Sequence, residues 1–484
     1  MGVAAAAAAA QDPPLPDAHG GRPTVRAERL EAGERIVLDG RLDEPVWQRA
    51  DPADAFLQQE PVEGGPPSER TEVRVAFDRN ALYLGVRAFD DPSGILAFQR
   101  QRDAGLGSDD RFMWVIDTFL DGRSAYFFEI NPAGLMGDGL LRVGSGNSLN
   151  KSWDGIWEAR VGRDAKGWTA EIRIPFRTLN FDPGLDAWGI NFQRTIRRRN
   201  EELLWSGHRR TQGLFRPVHA GRLVGLSDLS QGLGLEARPY SAASVHDAGA
   251  AARGQIEVGA DIGYSLTPGL RAALTLNTDF AETDVDDRQV NLTRFPLQFP
   301  EKRQFFLEGS GVYSFAPASG VNPYFSRRIG LAADGRPVPI VYGARLGGQA
   351  GAYDLGLLQI RTGARDDVPA ETFTVGRIRR NILAQSAIGL VYTRRATDGT
   401  PDGAGVPVRQ TLGADLELTT SHFLGRYNAQ FESFYVWHTD PHSTGTPARE
   451  RTARGLRVSF PNDVWQGHVS FREFGREWDP AVGF

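Results

Sequence analysis

From about residue 255 to its end the chain alternates apolar and polar residues one by one, in segments of ten or so, and that period of two excludes a helical fold for this half. Ile256, Val258, Ala260, Ile262 and Tyr264 fall on one face, and Gln255, Glu257, Gly259, Asp261 and Gly263 on the other, as expected of a strand whose side chains point alternately up and down. Thr267-Pro268-Gly269 supplies a tight turn, after which Leu270, Ala272, Leu274 and Leu276 resume the alternation. Similar segments recur at 339–348, 351–362, 371–380, 385–395, 409–420, 426–438, 451–460 and 464–474. Each has about the 9–11 residues that a tilted strand needs to cross hydrocarbon. No run approaches the roughly 18 apolar residues of a membrane helix. A helical membrane protein is thereby excluded, but a barrel is not, because its alternating strands keep the mean hydropathy low.

Short turns such as Pro461-Asn462-Asp463 separate some of these segments, and polar, Gly-rich stretches such as 396–405 and 439–450 separate others. Short periplasmic turns alternating with long external loops are the pattern of an outer-membrane barrel. Tyr392, Phe423, Tyr435, Trp437, Trp465 and Phe471 stand near strand ends, where aromatic girdles meet the lipid interface. The expectation is an antiparallel transmembrane β-barrel over 251–484, with 228–250 a linker or first strand. A soluble β-sandwich or solenoid with one wet face is the alternative that the same pattern allows.

The first half reads as an antiparallel β-sandwich over 31–227. Val73, Val75 and Phe77 alternate with Glu72, Arg74 and Ala76, Asp78-Arg79-Asn80 turns the chain, and Leu82, Leu84 and Val86 return. Further strands are expected at 112–118, 124–130, 155–162, 168–174 and 187–194. Asp39-Gly40 is a turn pair, and Asp43 is positioned to cap a short helix with Pro45 in its first turn and Trp47 beneath. Trp157 and Trp168 are in strand phase with apolar neighbours and read as core. Residues 1–30 read as a signal remnant and flexible leader, since seven alanines precede a polar, Pro-rich stretch. At the other end a terminal Phe484 suits a barrel, and truncation is the equal reading.

Composition removes several function classes. The 40% hydrophobic content with 27 Phe and 10 Trp excludes wholesale disorder, and a net charge of −5 gives no footprint for nucleic acid. With no cysteine at all, disulfides, thiolate metal sites and cysteine nucleophiles are excluded. There is no HExxH, GxSxG or P-loop. A glycosidase needs two carboxylates about 5–10 Å apart, and nothing around Asn200-Glu201-Glu202 would split their acidities. No catalytic residue is assigned.

Leu38-Asp39-Gly40, Asp43-Glu44, Trp47, Phe77-Asp78, Leu82-Tyr83-Leu84, Phe89-Asp90-Asp91-Pro92 and the run Gly167 to Phe176 resemble, in order and spacing, the family 9 carbohydrate-binding module. The likeness covers about residues 34–225. Asn277-Thr278-Asp279-Phe280-Ala281-Glu282-Thr283-Asp284, then Gln289 to Pro296 and Phe299 to Gly309, resemble the signature of a bacterial outer-membrane barrel family known only as domain of unknown function 5916. In that family the barrel follows a family 9-like domain, as here. Members usually continue past the position of Phe484, so the resemblance implies a barrel incomplete at the C-terminus.

A sugar site needs a flat aromatic ring against a pyranose and planar polar groups for its hydroxyls. Trp153 stands in a polar stretch, Asn147 to Asp154, and Trp205 follows Asn200-Glu201-Glu202; for each, folding onto the sandwich is the competing reading. The module resemblance adds Arg100, Arg102 and Asn131 as hydroxyl partners. It also admits a structural Ca²⁺ at Asp109 and Asp110, against a solvated acidic turn. Glu282, Asp284, Asp286 and Asp287 form a second acidic run, a cation-binding or merely charged loop. The expected protein is a non-catalytic binder of polysaccharide or oligosaccharide that needs no cofactor. Its barrel would sit in outer-membrane lipid, with the sandwich periplasmic or surface-exposed. The alternatives are a glycoside hydrolase acting on xylan-like polysaccharide and an envelope barrel whose sandwich binds protein.

Overall fold

The computed structural model describes residues 21–483 apart from 144–146, 152, 231, 233, 248–251, 268, 279–300, 302, 332–337, 366–367, 400–406, 426, 440 and 442–444. The signal-like opening, the acidic run at 282–287 and most of the stretch resembling family 5916 lie outside the described residues. The fold is all-β, with three sheets.

Two of the sheets form the sandwich of the first half. The nine-stranded sheet has Ala187–Ile196, Arg111–Asp117, Ser124–Ile130 and Met136–Val143 as successive antiparallel neighbours. The five-stranded sheet runs Glu158–Asp164, Gly167–Pro175, Ala81–Phe89, Thr71–Phe77, Glu28–Arg29. Alternation turns Phe112, Trp114 and Ile116 inward from the first sheet, and Val73, Val75, Leu84, Val86, Ile172 and Ile174 inward from the second, where all are buried in one core. Each such side chain contributes roughly 1.5–3 kcal/mol on burial. Trp157 and Trp168 belong to this core. Trp47 is buried below the short helix Pro45–Arg49, as expected, but the N-cap falls on Glu44 and not on Asp43. Glu44 makes no capping bond there; its carboxylate accepts from Trp47 Nε1 at 3.1 Å and from the Val37 N–H at 2.9 Å.

The third sheet is an eleven-stranded antiparallel meander in which each strand pairs with the next, from Leu235–Asp247 to Gln466–Phe474. Its first strand occupies the segment left as linker or strand by the sequence. Among the described residues no pairing joins Leu235–Asp247 to Gln466–Phe474. The two faces differ sharply in character. Leu274, Leu276, Leu357, Ile378, Ile388, Leu390, Leu412, Tyr435, Leu456 and Val458 are exposed on one. The other buries Arg345, Asp354, Arg377, Arg379, Asp415, Glu417 and Glu432. Arg377 makes a two-bonded pair with Asp415 (2.6 and 2.8 Å), and Arg379 bonds Glu417 at 2.8 Å. Onto that same face fold Phe305, Phe306, Tyr313 and Ile329, against Ile340, Leu358, Ile360, Phe373 and Val375. Phe315 packs further along on Val391, Phe434 and Val436.

The meander has short turns at one end (267–270, 350–353, 382–386, 423–427, 461–466); at the other, the connections after the four-residue one at 248–251 are longer (279–339, 363–370, 398–407, 439–451). Among the described residues, the bonds from the sandwich to the strands and turns of the meander lie at the short-turn end. Arg123 donates to Asn381 Oδ1 (2.6 Å) and to the carbonyls of Ile382, Leu383 and Ser386 (3.2, 2.7 and 2.9 Å). Arg142 bonds Asp354 at 2.8 Å, and Asn428 Nδ2 donates to the Thr211 carbonyl at 3.0 Å.

Candidate functional site

Charged groups converge where three strands of the nine-stranded sheet end beside the 95–110 loop. Register places Glu129 opposite Met113 on one side and Gly137 on the other. A Cβ at Gly137 would lie 2.9 Å from Glu129 Oε1 and 3.3 Å from Asp103 Oδ1, so the missing side chain is what lets both carboxylates close in. Lys151 Nζ pairs with Glu129. Arg111 stands 4.0 Å from Glu129 and 3.9 Å from Glu202, and its Nε donates to Thr195 Oγ1 at 3.3 Å. Gln193 Nε2 donates to Glu202. Lysine, arginine, glutamine and carboxylates thus form one continuous half-buried rim.

A second group lies at the free edge of Met136–Val143 and centres on Arg102, whose guanidinium bonds Asp138 and stands 3.5 Å from both Asp103 and Asp154. Register turns Asp138, opposite Phe128, to the inner face of the sheet, whereas Glu129, opposite Met113, faces out. Asp103, Asp138 and Asp154 bring carboxylate oxygens within 4.8 Å of one another, a spacing that suits a cation. Here the guanidinium already supplies the positive charge. Burial pushes the Asp138 carboxyl up to about 6, against the opposing pull of the Gly155 N–H and Arg102. Trp153 lies beside this group: a Cβ on Gly155 would be 2.6 Å from its ring and 3.3 Å from Asp138 Oδ2. The ring is half-buried, with its centroid 5.2 Å from Tyr126 and 6.1 Å from Phe128. It is anchored on the aromatic core and leaves part of its surface to solvent.

Of the expected ligand residues, Trp153 and Arg102 meet around Asp138 at the sheet edge. Arg100 is exposed and makes no hydrogen bond or ion pair among the described residues. Trp205 is placed differently: it is 6% exposed in the sandwich core, 5.3 Å from Phe192, with no face left for a sugar. Asn131 is fully buried and spent on its own loop, donating to the Gln99 carbonyl and Asp109 and accepting from Ala133 and Leu135.

Asp109 and Asp110 are also braces. Asp109 accepts from the N–H groups of Phe98 and Gln99, from Asn131 Nδ2 and from Ser108 Oγ, all within 2.8–2.9 Å. Burial pushes its carboxyl up, but the donors from Gln99, Ser108, Asn131 and Phe98 prevail and hold it below the usual range. Asp110 accepts from Leu96 and Arg197, and there burial prevails and raises it. N–H donors occupy these oxygens where the sequence placed Ca²⁺. Their effect is to hold the loop that carries Arg100, Arg102 and Phe98, whose ring is 65% exposed.

The sequence reading missed Glu129, Lys151, Arg111, Asp138, Gln193, Glu202 and Phe98. One signal was available: Arg111 and Glu129 are charges inside otherwise apolar strands, which a buried sheet tolerates only when they are paired.

A family described as a domain of unknown function (DUF5916) matches residues 232–339. No curated protein matches the chain. Two solved structures similar to it are of a family 9 carbohydrate-binding module from Caldicellulosiruptor kristjanssonii. The complex with cellotriose shows 15% identity over 43% of this chain and 96% of that one, with a TM-score of 0.31. The complex with glucose shows 15% identity over 43% and 100%, also at a TM-score of 0.31.

Proposed function

We propose that the protein binds a carbohydrate chain, without bond chemistry, at the sheet edge formed by Arg102, Asp138 and Trp153, flanked on the outer face by Arg111, Glu129 and Lys151. The observation that carries this reading is a partly open tryptophan ring beside paired planar charges. Guanidinium and carboxylate groups bond vicinal hydroxyls two at a time, and an indole face covers the C–H face of a sugar. Each polar member is already paired with a neighbour, so the site is ordered before a ligand arrives and little ordering cost remains at binding. The test is a glycan array probed with the full chain in detergent, before and after Trp153→Ala. The expected result is a defined set of glycans retained by the parent and lost by the variant; an identical pattern from both would reject the assignment.

The eleven-stranded sheet is proposed to sit in a membrane, its exposed aliphatic face toward lipid and its ion-paired face inward around the 303–330 segment. Exposed Leu and Ile on strand after strand, over buried Arg–Asp and Arg–Glu pairs, invert the order of a soluble protein. Outer-membrane barrels keep short turns on the periplasmic side. A sandwich seated on the short-turn end is therefore a periplasmic one.

A further inference from the structure

A second polar site lies at the seam between the two halves, remote in sequence from the residues at the sheet edge. A cavity of about 120 Å³ opens between the 209–219 loop of the sandwich and the 421–428 turn of the meander, lined by Arg209, Thr211, Gln212, His219, Ser421, His422, Gly425 and Asn428. No carboxylate lines it. The cations around it are unmatched, which sets them apart from most arginines of the chain. Arg209 has no ion pair among the described residues, whereas its neighbour Arg210 bonds Glu60 at 2.8 Å. Half-buried Arg216 donates to the neutral Asn428 Oδ1 at 3.0 Å, and Arg22 to the Ala220 carbonyl at 3.4 Å. Nothing anionic answers either charge among the described residues.

The wall at His219 bears the same mark. Its Nε2 is buried with no hydrogen-bond partner among the described residues. Burial, followed by the positive charges of Arg216, Arg22 and His422, pushes its imidazole down to about 4. An unmatched guanidinium held out of water is costly unless an anion joins it. Guanidinium, imidazole, hydroxyl and amide groups around one small space suit an anion with several oxygens to share.

We infer that this cavity binds a phosphate group, held by Arg209 with His219, His422 and the hydroxyls of Thr211 and Ser421, while Arg216 adds its charge from behind the lining residue Asn428. Phe423 and Leu424, 46% and 79% exposed, stand at the adjoining turn. They place apolar surface next to the charges, as a phospholipid headgroup with its chains requires. A soluble phosphorylated molecule offers the same anion without needing that surface.

The test is calorimetry on the full chain in a neutral detergent. It is titrated first with inorganic phosphate, then with short-chain phosphatidylglycerol. The expected result is saturable binding that weakens about tenfold in Arg209→Ala, which removes a charged hydrogen-bond partner, and several-fold in Arg216→Gln, which removes a charge from behind the lining. Arg209 is exposed, so its replacement leaves the fold intact. Tighter binding of the phospholipid than of phosphate assigns the site to a headgroup, and equal or weaker binding assigns it to a soluble phosphate. Absence of binding by both probes, or affinities unchanged in both variants, overturns the inference. Neither outcome depends on sugar binding at the sheet edge.

Discussion

Replacing Arg123 by alanine should loosen the seam between sandwich and meander at the 381–386 turn while leaving each half folded. The guanidinium is 9% exposed and donates four hydrogen bonds into a single turn, three of them to backbone carbonyls. A hydrogen bond involving a charged group contributes about 1.5–3 kcal/mol. The four are not additive, because they share one donor group, and the turn is open to water at Leu383, 81% exposed. A loss of about 3 kcal/mol is the reasonable sum, and at 1.4 kcal/mol per tenfold this makes local opening about a hundredfold more frequent. Hydrogen exchange of the full chain in detergent reads it directly. Amides over 381–387 should exchange about a hundredfold faster in Arg123→Ala, while those in the sandwich core at 112–116 keep their rates. Unchanged exchange at 381–387 would refute the seating of the sandwich on the short turns. Acceleration throughout the chain would refute its independence as a folding unit.

Trp153→Ala should lower sugar affinity at least tenfold at a stability cost of about 1–2 kcal/mol from its contacts on Tyr126 and Phe128, whereas Trp205→Ala should cost about 3–5 kcal/mol through a core cavity; paired calorimetry and thermal melts separate the two. Asp138 takes up its proton at about pH 6 in the fold against 3.8 for the ordinary group. Between those values the native state holds a proton that the unfolded chain has released, so this group's contribution to stability falls as pH rises from about 4 to about 6. Thermal melts should show that slope in the parent and not in Asp138→Asn. Leu390→Arg, on the exposed aliphatic face, should impair folding into liposomes by about 2–4 kcal/mol if it lies near mid-bilayer; unaltered insertion would count against lipid contact there.

Strands were the most legible part of the sequence, because a period of two is a local property. The expected segments 124–130, 168–174 and 371–380 recur as Ser124–Ile130, Gly167–Pro175 and Glu371–Ile382. Met136–Val143 escaped notice because its alternation is broken by Gly137 and Gly139, and these glycines matter for packing across the sheet. Which strands become neighbours is not a local property, and the site depends on it: Arg111, Glu129, Lys151 and Glu202 are brought together by pairing across four segments. Asn131, Asp109 and Asp110 had the right chemistry for ligands. In the fold Asp109 and Asp110 accept from N–H groups of Leu96, Phe98 and Gln99, and Asn131 donates to the Gln99 carbonyl, all in a loop some 10–30 residues earlier in the chain, and composition cannot reveal such a brace. Trp205 had a polar sequence context but a buried address, since Phe192 reaches it from a neighbouring strand.

The claim that Trp153 is the surface on which a sugar rests is tested most directly by ¹⁹F NMR of the full chain labelled with 5-fluorotryptophan. Ten resonances are expected from ten tryptophans, and Trp153→Phe identifies the one in question. Titration with a glycan retained on the array should move that resonance and leave buried Trp47, Trp114 and Trp168 unmoved. A resonance for Trp153 that stays fixed at saturating sugar would contradict the account.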